Sequence, residues 1–293
     1  AYKKGHLMVV GIGNKGSRIL KDYQAQTGRT AVAIEQKADH KNLPSLRRDG
    51  HAIVTGSATD EETLQTAGAL KARTVICLGD DKQTGIQVAG KLIDLYAKKK
   101  PENLLQCFVH LEAPRLVEIF EQHGHAHIHA SVDVRFFNLH KVIARHFFHR
   151  LPQMLENKLQ HPQAEVRFLL FGFDAAAQAL LIQAMRVFHL LPGQSSHWHI
   201  FARDMATKAA RFHDRYPQIG HIAPLQFFED QGCYAQVMQP YLASQPAHGQ
   251  IIVICASDEE CTNLRAAAEQ LIASAQQDFP IFVLNAGGKA MAG

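Results

Sequence analysis

HLMVVGIGNKG, residues 6–16, joins a short apolar run to three glycines spaced as G-x-G-x-x-G. The apolar run predicts a buried strand, and the polar–apolar alternation of residues 17–23 predicts a helix. In such a strand–turn–helix the first glycine permits the turn, the second lets a phosphate approach the backbone, and the third lets helix and strand pack closely. Free N–H groups at the helix start favour an anion. The same pattern also fits a glycine-rich turn in another kind of α/β unit.

A second predicted strand, residues 30–34, ends at Glu35. A carboxylate at this point accepts hydrogen bonds from both hydroxyls of a ribose and repels a 2′-phosphate. A solvated carboxylate at a strand end would give the same local sequence. The distance of Glu35 from the glycine turn nevertheless favours a dinucleotide-type site.

Four further apolar segments complete a predicted first domain, residues 1–132. The strands are expected at residues 51–55, 74–78 and 104–109, with a short sixth strand near Ile128. Strands that alternate with helices are typical of a doubly wound parallel sheet with right-handed crossovers. We therefore predict an α/β, Rossmann-like fold for this part of the chain.

Several motifs in residues 6–130 together resemble one family, the RCK (also KTN or TrkA-N) domain, which regulates potassium channels and potassium uptake systems. The motifs are Gly11-x-Gly-x-x-Gly16, Glu35, Gly56-Ser-Ala-Thr-Asp60, Ala67-Gly68, Asp80-Asp81 after a strand, and Gly124 after a helix. Two positions depart from the family pattern. Ser57 stands where the family usually has Asp, which weakens an ion or ribose contact. Phe108 stands where many members have Arg, which weakens a phosphate contact.

The glycine turn and the resemblance together imply an adenine-nucleotide site, with NAD or NADH as the first expectation and ATP or ADP as the second. The residues expected to hold the phosphates are Gly11, Ile12, Gly13, Asn14, Lys15 and Gly16. Glu35 and Gln36 are expected to hold the adenosine ribose. The resemblance places Ser57 and Ala58 beside the adenine. It places Gly79, Asp80 and Asp81 near the far end of the ligand.

Residues 133–160 are predicted to be a connecting helix, because Phe136, Leu139, Ile143 and Phe147 share one helical stripe. Two interpretations stay open. The resemblance implies the crossover helix through which RCK domains pair. The same stripe also fits a helix packed between two halves of one chain.

Four histidines alternate just before this helix: His123, His125, His127 and His129. On a strand they would share one face. Neutral imidazole binds zinc or nickel well, but no Cys or carboxylate nearby completes a ligand set. We predict a polar strand edge and no metal site.

Residues 161–293 repeat the first half in diverged form. Predicted strands fall at residues 165–171, 197–202, 222–228, 251–255 and 280–284. Gly172, Asp174 and Ala177 occupy the three glycine positions, so a carboxylate stands where pyrophosphate would approach. We predict two Rossmann-like sheets in tandem, the second without the nucleotide; binding of another ligand there is the alternative.

The composition excludes several classes of protein. Of the 293 residues, 46% are hydrophobic and 20% are charged, as in globular proteins, and a net charge of +4 is too small to argue for nucleic acid. The five cysteines form no C-x-x-C pair, so nothing demands an oxidising compartment. The sequence shows no signal peptide and no apolar run long enough to cross a membrane. Because it begins at Ala1 without Met, we expect a fragment of a longer protein.

The function predicted from these features is a cytoplasmic regulatory module at the inner face of the membrane. Nucleotide binding would gate a potassium channel or transporter subunit outside this chain, and we expect a homo-oligomer. No catalytic group is recognised beside a nicotinamide site, and a second copy of the fold replaces a substrate domain, so no enzyme is predicted. The alternatives are an NAD-dependent oxidoreductase and a ligand-free assembly module.

Overall fold

The computed structural model describes residues 4–79, 83–112, 128–129, 131–155, 165–187, 195–222, 224–229, 249–255, 281–284 and 290–292. The chain divides into two compact units, Ala1–Leu139 and His140–Gly293. Each unit is built on one sheet whose strands are mostly parallel. The predicted fold class, two Rossmann-like α/β sheets in tandem, is confirmed.

The first sheet contains seven strands in the order β3-β2-β1-β4-β5-β7-β6. They are β1 His6–Val10, β2 Val32–Glu35, β3 Ala52–Thr55, β4 Ala72–Cys77, β5 Leu105–His110, β6 Ile128–His129 and β7 Val132–Phe137. All neighbouring pairs run parallel except β6 and β7. The chain order reverses between β1 and β4, and ligands of such sheets bind at the carboxyl ends of the strands beside this reversal.

Helices cover both faces of the first sheet: α1 Asn14–Thr27, α2 Leu43–Arg48, α3 Glu61–Thr66 and α4 Thr84–Lys99. Strand β1 shows why two layers are needed. Leu7 and Val9 enter one apolar cluster and Met8 and Val10 enter another, and all four are buried. A strand buried on both faces reads as a continuous apolar run, which is the pattern that the sequence shows here.

The predictions about the end of this unit were right only in part. The short sixth strand near Ile128 is confirmed as β6, but it runs antiparallel to β7, and β7 is the strand that pairs parallel with β5. The connecting helix, α5, begins at Leu139 and ends at Leu155, so residues 133–137, predicted as helix, lie in a strand. Phe136 matches a helical stripe by spacing, but residues 132–137 pair in parallel register with β5, and this pairing makes the segment a strand. The predicted helix that precedes Gly124 lies outside the described residues.

The apolar stripe of α5 is buried in the second unit. Ala144, Phe147, Phe148 and Leu151 share one core with residues of that unit's sheet and helices. Packing within one chain therefore accounts for the stripe. Pairing between subunits through α5 stays a prediction.

The second sheet has the order β10-β9-β8-β11-β12-β13. Its strands are β8 Glu165–Phe171, β9 Ser195–Ala202, β10 Leu225–Glu229, β11 Gly249–Cys255, β12 Ile281–Leu284 and the antiparallel β13 Ala290–Ala292. Helix α6, Ala175–Val187, follows β8, and helix α7, Met205–Arg215, follows β9. The first five strands repeat the order of the first five in sheet one, as a duplication requires.

Candidate functional site

Two of the three glycines in the turn after β1 are required by close contacts. Gly11 has φ +87°, and a Cβ placed on it would lie 3.3 Å from the backbone nitrogen of Gly79. A Cβ on Gly16 would lie 1.9 Å from the carbonyl oxygen of Gly11. The first glycine thus brings the ends of β1 and β4 together, and the third lets α1 pack onto the turn.

Gly13 has a different role, because a Cβ on it would meet nothing within 4 Å. It directly precedes α1, whose N-terminus has no side-chain capping bond and no acidic residue in its first turn. The first-turn amides of a helix have no intrahelical acceptor and carry the positive end of the helix dipole. The open space at Gly13 therefore exposes a site suited to an anion.

The carboxylate of Glu35, at the end of β2, faces this turn. One oxygen accepts a hydrogen bond from the backbone N–H of Ile12 at 3.1 Å, and the other accepts one from the N–H of Lys37 at 3.0 Å. These two bonds fix the orientation of the carboxylate. Because each carboxylate oxygen has two lone pairs, the group retains acceptor capacity for ribose hydroxyls.

A cavity of about 480 Å³ joins these features at the carboxyl edge of the first sheet. Seven of the residues predicted for the site line it: Gly11, Gly13, Glu35, Gln36, Ser57, Ala58 and Gly79. The lining therefore combines the glycine turn with the ends of β2, β3 and β4, on both sides of the point where the strand order reverses. This is the position at which doubly wound sheets hold ligands.

Four other predicted residues do not line the described cavity: Ile12, Asn14, Lys15 and Gly16. The side chain of Ile12 is fully buried, and Gly16 packs against the turn. Asn14 begins α1. The ammonium of Lys15 lies 3.4 Å from a carboxylate oxygen of Glu112. Asp80 and Asp81 lie outside the described residues.

Five polar residues that the sequence motifs did not indicate also line the cavity: Lys37, His40, Thr59, Thr84 and Gln87. Lys37 and His40 follow β2, Thr59 follows β3, and Thr84 begins α4. Their common signal is their position just beyond the carboxyl end of a strand, or at the start of the next helix. That position alone could have identified them, since parallel strands place such segments at one edge.

Ser57 stabilises the loop after β3. Its hydroxyl lies 2.8 Å from the hydroxyl of Thr59 and accepts the Thr59 N–H at 3.3 Å. The preceding Gly56 has φ +155°, and a Cβ there would lie 2.8 Å from the hydroxyl oxygen of Thr63. Ser57 therefore supplies a turn without adding a negative charge to the cavity.

The equivalent turn in the second unit is closed by its own carboxylate. Gly172 has φ +90° and donates its N–H to Phe201 at 2.8 Å, as Gly11 donates to Ile34 at 2.9 Å. Asp174 Oδ1, however, accepts the N–H groups of Ala176 and Ala177 at 2.9 and 3.1 Å. The amides that an anion would use at the start of α6 are thus occupied.

Helix α7 of the second unit is capped in the same way. The two carboxylate oxygens of Glu229, at the end of β10, accept the N–H groups of Asp204 and Met205 at 2.7 and 2.8 Å. Both described helix starts at the carboxyl edge of the second sheet therefore carry a protein carboxylate. This geometry is unfavourable for a phosphate group.

No group of three or more His, Cys, Asp or Glu side chains is placed to hold a metal ion in the part of the chain that the structure describes. His123, His125 and His127 of the alternating cluster lie outside that part, and His129 lies in β6. Among the described helices, none has both the length and the apolar character needed to cross a bilayer.

Residues 7–130 match the family model of the TrkA-N domain. Among solved structures, GsuK bound to ADP matches with 14% identity and a TM-score of 0.50, covering 97% of this chain and 66% of that one. The GsuK channel bound to NAD matches with 12% identity and a TM-score of 0.52, covering 96% and 61%. This chain thus covers less than two thirds of the matched chain in either structure. At identities this low, the likeness shows the fold alone. No curated protein matches the sequence.

Proposed function

We propose that the first unit, in which residues 7–130 match the family model of the TrkA-N domain, binds an adenine nucleotide and thereby regulates a potassium channel or transporter subunit outside this chain. The observation that carries the proposal is the cavity in front of α1. The start of α1 lacks a capping side chain, and the Glu35 carboxylate is held beside the glycine turn that precedes this helix. An anionic phosphate at the helix and a ribose at the carboxylate would satisfy both groups.

The proposed ligand is NAD or NADH first, with ATP or ADP second. The two GsuK structures carry NAD and ADP, which share an adenosine diphosphate. That shared part is the part that the helix start and Glu35 recognise. The cavity continues past the turn to Gly79, Thr84 and Gln87, where the remainder of a dinucleotide would lie. A 2′-phosphate is disfavoured because it would meet the Glu35 carboxylate.

Regulation requires that the nucleotide bind two arrangements of the protein with different affinity, since equal affinity shifts no equilibrium. The second unit suits the role of a responding partner, because the two helix starts described at the carboxyl edge of its sheet are already satisfied by Asp174 and Glu229. We place the protein at the cytoplasmic face of a membrane, as a homo-oligomer attached to the pore-forming subunit. Light scattering on the purified chain tests the oligomer.

Calorimetric titration of the intact chain with NAD, NADH, NADP, ATP and ADP tests the nucleotide proposal. We expect binding of NAD, NADH or ADP and weaker binding of NADP. If none of the five nucleotides releases or absorbs heat or raises the melting temperature, the first unit is not a nucleotide sensor. A pore-regulating role is tested separately, by comparing ion flux through the full-length assembly with and without the nucleotide that binds.

A further inference from the structure

The side chain of Lys15, in the first turn of α1, reaches away from the cavity to the end of β5. Its ammonium lies 3.2 Å from Nε2 of His110 and 3.4 Å from Oε1 of Glu112. The Lys15 side chain is 18% exposed and that of Glu112 is 51% exposed. The ion pair with Glu112 is therefore weak, and the contact with the buried His110 ring is the more specific one.

The contact with Lys15 determines which nitrogen of His110 carries the proton. An ammonium only donates hydrogen bonds, so Nε2 must accept, and the neutral ring must then carry its proton on Nδ1. Nδ1 lies 3.4 Å from two backbone groups, the carbonyl oxygen of Phe137 and the N–H of Leu139. With its proton on Nδ1 the ring can donate to Phe137, but it cannot accept from Leu139.

The alternative tautomer has the reverse preference. If Lys15 withdraws, the proton can move to Nε2, and Nδ1 can then accept the N–H of Leu139. Leu139 is the first residue of α5, and the first-turn amides of a helix lack intrahelical acceptors. The position of one lysine thus selects which of two backbone groups at the start of α5 is bonded to His110.

This junction is otherwise held firmly within the first unit. The side-chain amide of Asn138 donates to the carbonyl oxygens of Leu111 and Glu112 at 2.8 and 2.9 Å. The backbone N–H of Leu111 donates to Phe137 at 2.8 Å. A change at His110 therefore acts on an ordered strand-to-helix connection, from which α5 continues into the core of the second unit.

We propose that Lys15 and His110 couple the glycine-turn site to the start of α5: a bound phosphate withdraws Lys15 from His110, and the ring changes tautomer and bonds Leu139. Lys15 lies one residue from the start of α1, where the phosphate of the proposed ligand would sit. Attraction between the ammonium and a phosphate in this partly buried place competes with the exposed Glu112. The coupling rests on the proposed nucleotide function and adds its route of transmission.

The test uses the intact chain with ¹⁵N-labelled histidine. Two-bond ¹H–¹⁵N spectra distinguish the two neutral tautomers, and the spectrum of His110→Asn identifies the His110 signals. We expect the Nδ1–H form without ligand and the Nε2–H form with saturating ADP. Lys15→Met should show the Nε2–H form without ligand and should bind ADP about tenfold more weakly, since a hydrogen bond to a charged group is lost. Lys21→Met, on the same helix, is the matched control and should behave as wild type.

Binding of ADP is measured by calorimetry on the same samples, so that the two proposals fail separately. If ADP binds and the His110 tautomer does not change, the coupling through Lys15 is wrong and the nucleotide site stands. If Lys15→Met leaves the ligand-free tautomer as in wild type, the Lys15–His110 contact does not control the ring. If neither ADP nor NAD binds, the nucleotide function itself is overturned, and this coupling with it.

Discussion

Gly13 and Asp174 lie at the same place in the two units, directly before the helix that follows the first strand of each sheet. In the second unit the Asp174 carboxylate binds two amides at the helix start. In the first unit Gly13 contributes no side chain, and α1 has no side-chain cap. The difference between Gly13 and Asp174 thus distinguishes a helix start that is open to an external anion from one whose amides are bonded to a protein carboxylate.

Replacing Asp174 with Ala should destabilise the second unit without affecting nucleotide binding. The change removes a carboxylate that accepts the N–H groups of Ala176 and Ala177. The expected loss in unfolding free energy is about 1 kcal/mol, measured by chemical denaturation. Asp174→Asn, which retains the acceptor, should lose only a few tenths. A fall in nucleotide affinity for Asp174→Ala would instead place a ligand in the second unit.

Gly16→Ala should destabilise the first unit strongly. Its Cβ would lie 1.9 Å from the carbonyl oxygen of Gly11, which is backbone and has little room to move. We expect a loss of about 3 kcal/mol in unfolding free energy. Gly90→Ala, in α4, is the matched control, because a Cβ there meets nothing within 4 Å, and it should not destabilise the protein. Equal stability of the two variants would contradict the packing described for the turn.

Glu35→Gln should alter which nucleotide the first unit prefers. The substitution removes the negative charge and keeps the size, although an amide can accept only one of the two bonds from Ile12 and Lys37. We expect NAD to bind about tenfold more weakly and the preference for NAD over NADP to fall by a similar factor. Calorimetry with both dinucleotides measures this ratio. An unchanged ratio would show that Glu35 does not meet the ribose.

The first unit should lose stability in mildly acidic solution because of His51. Its ring is buried, Nδ1 accepts the N–H of Ala31 at 3.2 Å, and Nε2 has no hydrogen-bond partner among the described residues. Burial lowers the pKa of His51 from its ordinary 6.5, while Asp49 acts weakly in the opposite direction. A histidine with a lowered pKa in the fold contributes stability above the unfolded value and loses it as protons bind on acidification.

Stability should therefore fall as the pH drops below about 6.5 towards the lowered pKa of His51. His199 in the second unit adds a change of the same sign, since burial first, then His197 and Arg167, lower its pKa against the effect of Glu165. His51→Asn retains an acceptor without titrating in this range. Denaturation at several pH values should give a shallower dependence for this variant. If stability depends on pH in the same way in wild type and His51→Asn, His51 does not cause the loss of stability.

Local sequence patterns predicted the parts of the fold that depend on neighbouring residues. The glycine turn, the strand that ends at Glu35 and the repeat at Gly172 each have a short-range physical cause, so a sequence shows them directly. The boundary at Leu139 was missed because Phe136 fits both a strand period and a helix period. Only pairing with β5 decides between them, and that pairing is a tertiary contact.

The candidate site, like the fold, could be predicted only where it depends on residues that are close in the sequence. Residues within the turn and at the end of β2 could be selected from spacing, whereas His40 and Gln87 enter the cavity only because the sheet brings distant loops together. The direction in which the Lys15 side chain points also could not be predicted from the glycine motif. The motif indicates a phosphate partner, but the side chain meets His110, a residue far along the chain. Long-range contacts of this kind have no signature in one sequence.

The most direct test of the nucleotide site is a calorimetric comparison of wild type with Gly13→Asp, titrated with NAD and ADP. The substitution gives the first unit a carboxylate at the position that Asp174 occupies in the second unit. A Cβ on Gly13 meets nothing within 4 Å, so the new side chain fits. We expect wild type to bind, Gly13→Asp to melt at or above the wild-type temperature, and its affinity to fall at least about a hundredfold. Gly13→Ala, without the charge, should retain more of the affinity. Equal binding by wild type and Gly13→Asp would contradict the site.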